Sequence, residues 1–189
     1  MKALKLLSIF SLVFSSFTLM ADEVSDAINE GMAHYKKGDL SAAASQLDYA
    51  ATLIRQQKAG KVTAVFPEPL AGWRAEKAES NSAGGMMMGG GITASRNYQK
   101  GDASVEIELV MDSPMMQSIL MMFNNPSMIA MSGAKLIKVQ GNKAMLKDED
   151  GDIEIQLVIN NNALFTIRGY SVSVEQVKAY AEALNLDKL

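Results

Sequence analysis

The sequence contains no cysteine, one histidine (His34), four prolines and one tryptophan in 189 residues. Without cysteine there is no disulfide framework, no thiol nucleophile and no Cys-ligated zinc site. A single imidazole likewise excludes multi-histidine metal centres. Charge of one sign is also lacking: 18 basic residues face 21 acidic ones, a formal net charge of −3. That balance offers no basic footprint for the phosphates of nucleic acid, so no nucleic-acid partner is expected. The apolar fraction of 48% is that of an ordinary globular chain, and with no cross-link available its stability must come from burial.

Long apolar runs are equally scarce, and the one present lies at the start. Lys2 and Lys5 precede an apolar stretch of about fifteen residues, residues 6–20, which ends at Ala21 before Asp22 and Glu23. A basic start, an apolar core and a small residue ahead of a polar stretch are the parts of a secretory signal peptide. The run is shorter than the roughly twenty residues a spanning helix needs. Cleavage is expected after Ala21, giving a periplasmic chain of 16 basic and 21 acidic residues, net −5, with no membrane span.

The next segment has helical spacing. Val24, Ala27, Ile28, Met32 and Tyr35, then Leu40, Ala43, Leu47, Ala50, Leu53 and Ile54 recur at three and four residues, and Lys37-Gly38-Asp39 separates two helices. Small residues at Gly31, Ala43 and Ala50 permit close approach of antiparallel helices. Gly38 can adopt the left-handed conformation that ends the first helix. Gly31, Tyr35, Gly38-Asp39, Ala43, Leu47 and Ala50 resemble one tetratricopeptide repeat. Ala27 departs from the aromatic common at its position, and Arg55 departs from the proline that often closes the unit. The domain organisation expected is a signal peptide at 1–21, a helical hairpin at 22–61, a connector at 62–72 and a second domain at 73–189.

Beyond Phe66-Pro67-Glu68-Pro69-Leu70-Ala71-Gly72-Trp73 the period becomes two. Val105, Ile107, Leu109 and Met111 alternate with Glu106, Glu108 and Val110, the clearest strand in the chain. Strands are expected at 73–78, 92–99, 104–111, 135–140, 143–147, 153–159 and 164–170, with short polar separators that suit antiparallel hairpins. Ser113-Pro114 begins a helix through about Phe123, followed by a short helical piece at 128–131. Ser173 and Gln176 form a capping box for the last helix. The fold class expected is α+β: an N-terminal helical hairpin, then a mainly antiparallel sheet of about seven strands with two packing helices. This layout is weakly similar to domains of the photosystem extrinsic subunit PsbP, a resemblance of architecture with no residue motif.

Methionine is the compositional outlier, with 14 in the chain. Thioethers are soft, flexible and apolar, suited to filling cores, to adaptable contact surfaces and to ligating Cu(I). On the helix after Pro114, Met115, Ile119, Met122 and Phe123 share one side as a buried face would, with Met116 and Met121 widening it. Residues 83–91, Ala-Gly-Gly-Met-Met-Met-Gly-Gly-Gly, lack the Lys-Ser/Thr ending of a nucleotide loop. They read as a flap with Met86, Met87 and Met88 at its tip.

The binding surface expected therefore comprises Met86, Met87, Met88, Met115, Met116, Met121 and Met122, presented to a protein or apolar ligand of the envelope. No catalytic residue, metal site or cofactor is assigned. Residues 148–154 carry five carboxylates around Gly151 but fit a solvated turn better than a twelve-residue calcium loop. His34, on a helix face, fits a partly buried packing role better than that of a catalytic base.

The block 66–131, with its Pro-Glu-Pro-Leu-Ala-Gly-Trp entry, Gly/Met loop, Ser95-Arg96-Asn97-Tyr98 and Asp112-Ser113-Pro114, resembles a group of exported proteobacterial proteins. The resemblance implies export and shared architecture and leaves the activity open. The resulting expectation is a non-catalytic periplasmic interaction or binding protein. The alternatives are a Cu(I)-handling protein using the clustered methionines and a hydrolase of unrecognised type.

Overall fold

The computed structural model describes residues 16–82, 91–149 and 151–189, with side chains from residue 22 onward. By its internal contacts the chain forms two compact units, Met1–Ile54 and Arg55–Leu189.

The first unit is the helical hairpin. Helix α1 (Ser16–Lys36) and the first part of α2 (Leu40–Val62) are joined by a turn in which Gly38 has φ +80°. Ala27, Gly31, Ala43, Ala50 and Leu53 are buried along the seam. A Cβ on Gly31 would lie 2.9 Å from Leu47 Cγ, so the glycine sets how closely the helices approach. His34 is partly buried, with Nδ1 3.5 Å from Asp39 Oδ2.

The second unit holds an antiparallel sheet. Its strands are β1 (Arg74–Ala75), β2 (Glu79–Asn81), β3 (Ile92–Lys100), β4 (Ala103–Met111), β5 (Lys135–Val139), β6 (Asn142–Glu149), β7 (Asp152–Ile159) and β8 (Ala163–Tyr170). They run in the order β1-β3-β4-β8-β7-β6-β5, and β2 pairs with β3 beyond β1. Helices α3 (Met116–Phe123) and α4 (Pro126–Met131) follow β4, and α5 (Val174–Glu182) follows β8. The α+β class and the packing helices are thus as the sequence implies. Of the strand expected at 73–78 only Arg74–Ala75 pairs in the sheet, and a second short piece, Glu79–Asn81, follows it at the sheet edge.

One sheet face is the main core. Val105, Ile107 and Leu109 of β4, Ile155 and Leu157 of β7, and Phe165 and Ile167 of β8 are fully buried there, as period-two alternation requires. They pack with Val177, Tyr180 and Ala181 of α5. The capping box at Ser173 is formed in both directions. Gly169 lets α5 lie down on the sheet, since a Cβ there would come within 2.3 Å of Val177 Cγ2 and 2.5 Å of Val172 Cγ2. Trp73, Tyr98 and Tyr180 form an aromatic cluster: Trp73 meets Tyr180 edge-on at 5.3 Å, and Tyr98 lies 4.5 Å from Tyr180 between ring centroids.

The residues expected to form a connector at 62–72 contribute to this core. Ala59 and Val62 at the end of α2, Val65 of the following 3-10 turn (Thr63–Val65), and Phe66 are all buried in it. Hydrogen bonds hold the segment down. Tyr98 Oη donates to the Pro67 carbonyl at 2.8 Å, Arg96 Nη1 donates to the same oxygen at 3.0 Å, and Asn185 N donates to the Val65 carbonyl at 2.9 Å. The division between units falls within α2, between Ile54 and Arg55, because the polar-looking tail of that helix inserts Ala59 and Val62 into the sheet's core.

No described helix is long and apolar enough to cross a membrane.

Candidate functional site

The opposite sheet face has two regions. At one end Met145, Val158 and Leu164 are apolar and are covered by α3 and α4 through Ile119, Met122, Phe123 and Ile129. The rest is polar. Register places Asn97, Glu106, Arg168, Glu154 and Lys147 side by side across five strands, and Ser95, Glu108, Thr166, Gln156 and Met145 in the next row. Arg168 is the centre of this surface: its Nε donates to Glu154 Oε2 at 3.0 Å and its Nη1 to Glu108 Oε2 at 3.1 Å. Partial burial works against its charge, but the two carboxylates outweigh that effect and raise its pKa.

Three shallow depressions mark the polar area, one of about 290 Å³ between β2, β3 and β4 at Ser80, Ser95 and Glu108 and two further along the face. One, about 410 Å³, lies beside Arg168 with Lys147, Glu149, Glu154 and Tyr170 in its walls. The other, about 180 Å³, opens at the rim of the helical cover between Met122, Ser132, Ala134, Met145 and Gln156. Among the described residues no cluster of three His, Asp or Glu side chains is placed to hold a metal ion.

The helical cover carries the methionines. Helix α3 starts two residues later than Ser113-Pro114 suggests: its N-cap position is Met115, without a side-chain cap, and Ser113 Oγ accepts a 3.3 Å hydrogen bond from Met115 N. Its buried positions are Met116 and Phe123, with Ile119 and Met122 half-buried. Ile119, Met122 and Phe123 of the expected face are thus inward, and Met116 takes the inward place expected of Met115. Met116 is in the interior, Met122 packs in the small cluster under the helices, and Met115 and Met121 point outward. Asn125 caps α4, its side chain accepting from Ser127 N and Met128 N, and Pro126 follows at the first helical position. Inward-facing Ile129 anchors α4 and leaves Met128 and Met131 outside.

The outward residues of this cover are Met115 (50% exposed), Met121 (65%), Met128 (47%) and Met131 (88%), with Leu136 (55%) on the edge strand β5. Met128, Met131 and Leu136 are additions to the expected surface. Exposure of large apolar side chains in two adjoining short helices is the signal that distinguishes them, and it depends on which face the sheet buries.

Met86, Met87 and Met88 lie outside the described residues, but the end of their segment does not. Gly91 enters β3 at φ +120°, and a Cβ there would come 2.5 Å from the Met111 carbonyl oxygen and 3.3 Å from Ser113 N. Gly91 thus joins the sheet directly against the start of the α3 segment. Asp112, at φ +54°, fixes this corner. It takes Lys58 Nζ at 2.5 Å and Asn162 Nδ2 at 3.2 Å, and its own N–H donates to the Asn162 carbonyl.

No protein family's sequence profile matches the chain, and no curated protein matches it in sequence. Among solved structures it is similar to a GTP-binding regulator from Thermotoga maritima, at 12% identity and a TM-score of 0.39, over 66% of this chain and 83% of that one. A likeness this slight carries no argument about what the chain does.

Proposed function

We propose that this is a non-catalytic interaction protein of the periplasm whose contact surface is the outward side of α3 and α4. The observation that carries the reading is the exposure of Met115, Met121, Met128 and Met131 on two short helices pinned to the sheet by Phe123 and Ile129. Unbranched thioether side chains rearrange around differently shaped apolar partners at little strain, while the buried half of the cover keeps the helices in place. Gly91 enters the sheet at the same corner, and Met86, Met87 and Met88, which lie outside the described residues, are included in the proposal on their sequence alone. The basic start and apolar run of residues 1–20 support export.

The test is capture from envelope extract by the exported protein, compared with a variant carrying Met115→Gln, Met121→Gln, Met128→Gln and Met131→Gln. These positions are exposed, so the fold is expected to survive. A partner retained by the parent and lost by the variant supports the proposal. Equal capture by both, or sub-micromolar Cu(I) binding abolished by replacing the methionines, contradicts it.

A further inference from the structure

The two sides of the α1–α2 hairpin differ in chemistry. On one side polar side chains link the helices: Tyr49 Oη donates to Glu23 Oε1 at 2.6 Å, and Gln46 Nε2 donates to Glu30 Oε2. On the other side Ile28, Met32 and Tyr35 of α1 and Leu40, Leu47 and Ile54 of α2 are 37–67% exposed.

Their positions follow from helix geometry. Ile28, Met32 and Tyr35 each come one residue after the seam positions Ala27, Gly31 and His34, a rotation of about 100°. Leu47 and Ile54 come four residues after Ala43 and Ala50, about 40° in the same sense. Because the helices are antiparallel, rotations of like sense bring both stripes to the same side of the hairpin. Leu47 joins them by lying across Gly31.

We infer that this face is a dimer interface, and that two copies of the chain pack hairpin against hairpin as a four-helix bundle. A two-fold interface sets one patch against an identical patch, so a charge near its centre faces its own sign. No charged residue belongs to this stripe of six, which suits self-association. The exposed area of the six residues is on the order of 600 Å² per hairpin, close to the ~800 Å² per partner of a standard interface. The patch is also long enough for bundle packing, spanning two helical turns of α1 and four of α2. None of the six residues belongs to the methionine cover of α3 and α4, and the inference does not depend on the function proposed for that cover.

Sedimentation equilibrium of the purified exported protein over ~1–100 µM tests it. The parent is expected to show twice the chain mass at the upper end. Met32→Glu with Tyr35→Glu is expected to weaken the dimer at least about 100-fold with helical circular dichroism unchanged. Should that pair lose helicity, Tyr35→Ser with Leu40→Ser, at the two most exposed positions of the stripe, gives the same readout. Met121→Glu with Met131→Glu, on the other surface, is expected to leave the dimer constant unchanged. A parent that is monomeric throughout, a folded hairpin variant that dimerises as tightly as the parent, or loss of the dimer through the Met121/Met131 pair overturns the inference.

Discussion

Replacing Phe123 by alanine is expected to release the helical cover while leaving the sheet intact. The cover rests on a small separate cluster whose buried members are Phe123, Ile129 and Met145. Burying one such side chain contributes roughly 1.5–3 kcal/mol, so the three together supply about 4.5–9 kcal/mol of apolar docking energy. Phe→Ala at a buried site costs about 3–5 kcal/mol, and here the loss is confined to one contact patch. The free energy for opening α3 and α4 should fall by about 3 kcal/mol, which raises the open fraction roughly a hundredfold. Hydrogen exchange read residue by residue measures this. Amides of 116–131 should lose about two decades of protection, while those of β4, β7 and β8 lose much less. An equal loss in the sheet strands and the cover would refute the reasoning, because it would make the cover part of the main cooperative core.

Gly169→Ala places a methyl group against Val172 and Val177 under α5; a loss of about 1–3 kcal/mol is expected in urea unfolding, partly recovered by adding Val177→Ala. Ser173→Ala removes the side-chain half of the α5 capping box and should cost about 1 kcal/mol in the same assay. Burial pushes the hydroxyls of Tyr98 and Tyr180 above the ordinary tyrosine value of 10.0, so both stay protonated when folded at a pH where the unfolded chain ionises. Their contribution is complete below about pH 10 and is lost as pH rises above it. Tyr98→Phe should lower stability at pH 7 through the lost bond to Pro67 and should flatten the alkaline decline. An unchanged decline would assign it to other groups.

The fold was legible wherever local pattern and tertiary environment agree. The alternation of β4 identifies the core face because Val105, Ile107 and Leu109 are inside and Glu106 and Glu108 outside. Gly101, Gly141 and Gly151 take positive φ in the hairpin turns their neighbours advertise. Helix α3 resisted the same reading because Met115, Met116, Ile119, Leu120, Met121, Met122 and Phe123 make it apolar nearly all round. With no polar face to fix its phase, contact with Met145, Val158 and Leu164 decides which methionines are inward. The sequence Arg-Gln-Gln-Lys-Ala-Gly-Lys-Val at 55–62 looks solvated, yet Ala59 and Val62 reach the sheet. The Glu108-Arg168-Glu154 group required the pairing of β4 with β8 and of β8 with β7. The first joins residues 60 apart, which no local pattern encodes.

The most direct measurement of the proposed contact surface is methionine oxidation footprinting of the exported protein, with and without the envelope fraction it binds. Thioether oxidation follows solvent access, so the free protein should oxidise at Met115, Met121, Met128 and Met131 well before Met116 or Met111, which are buried. Partner binding should protect the four outward methionines together. Partner binding that leaves all four as reactive as in the free protein would contradict the account.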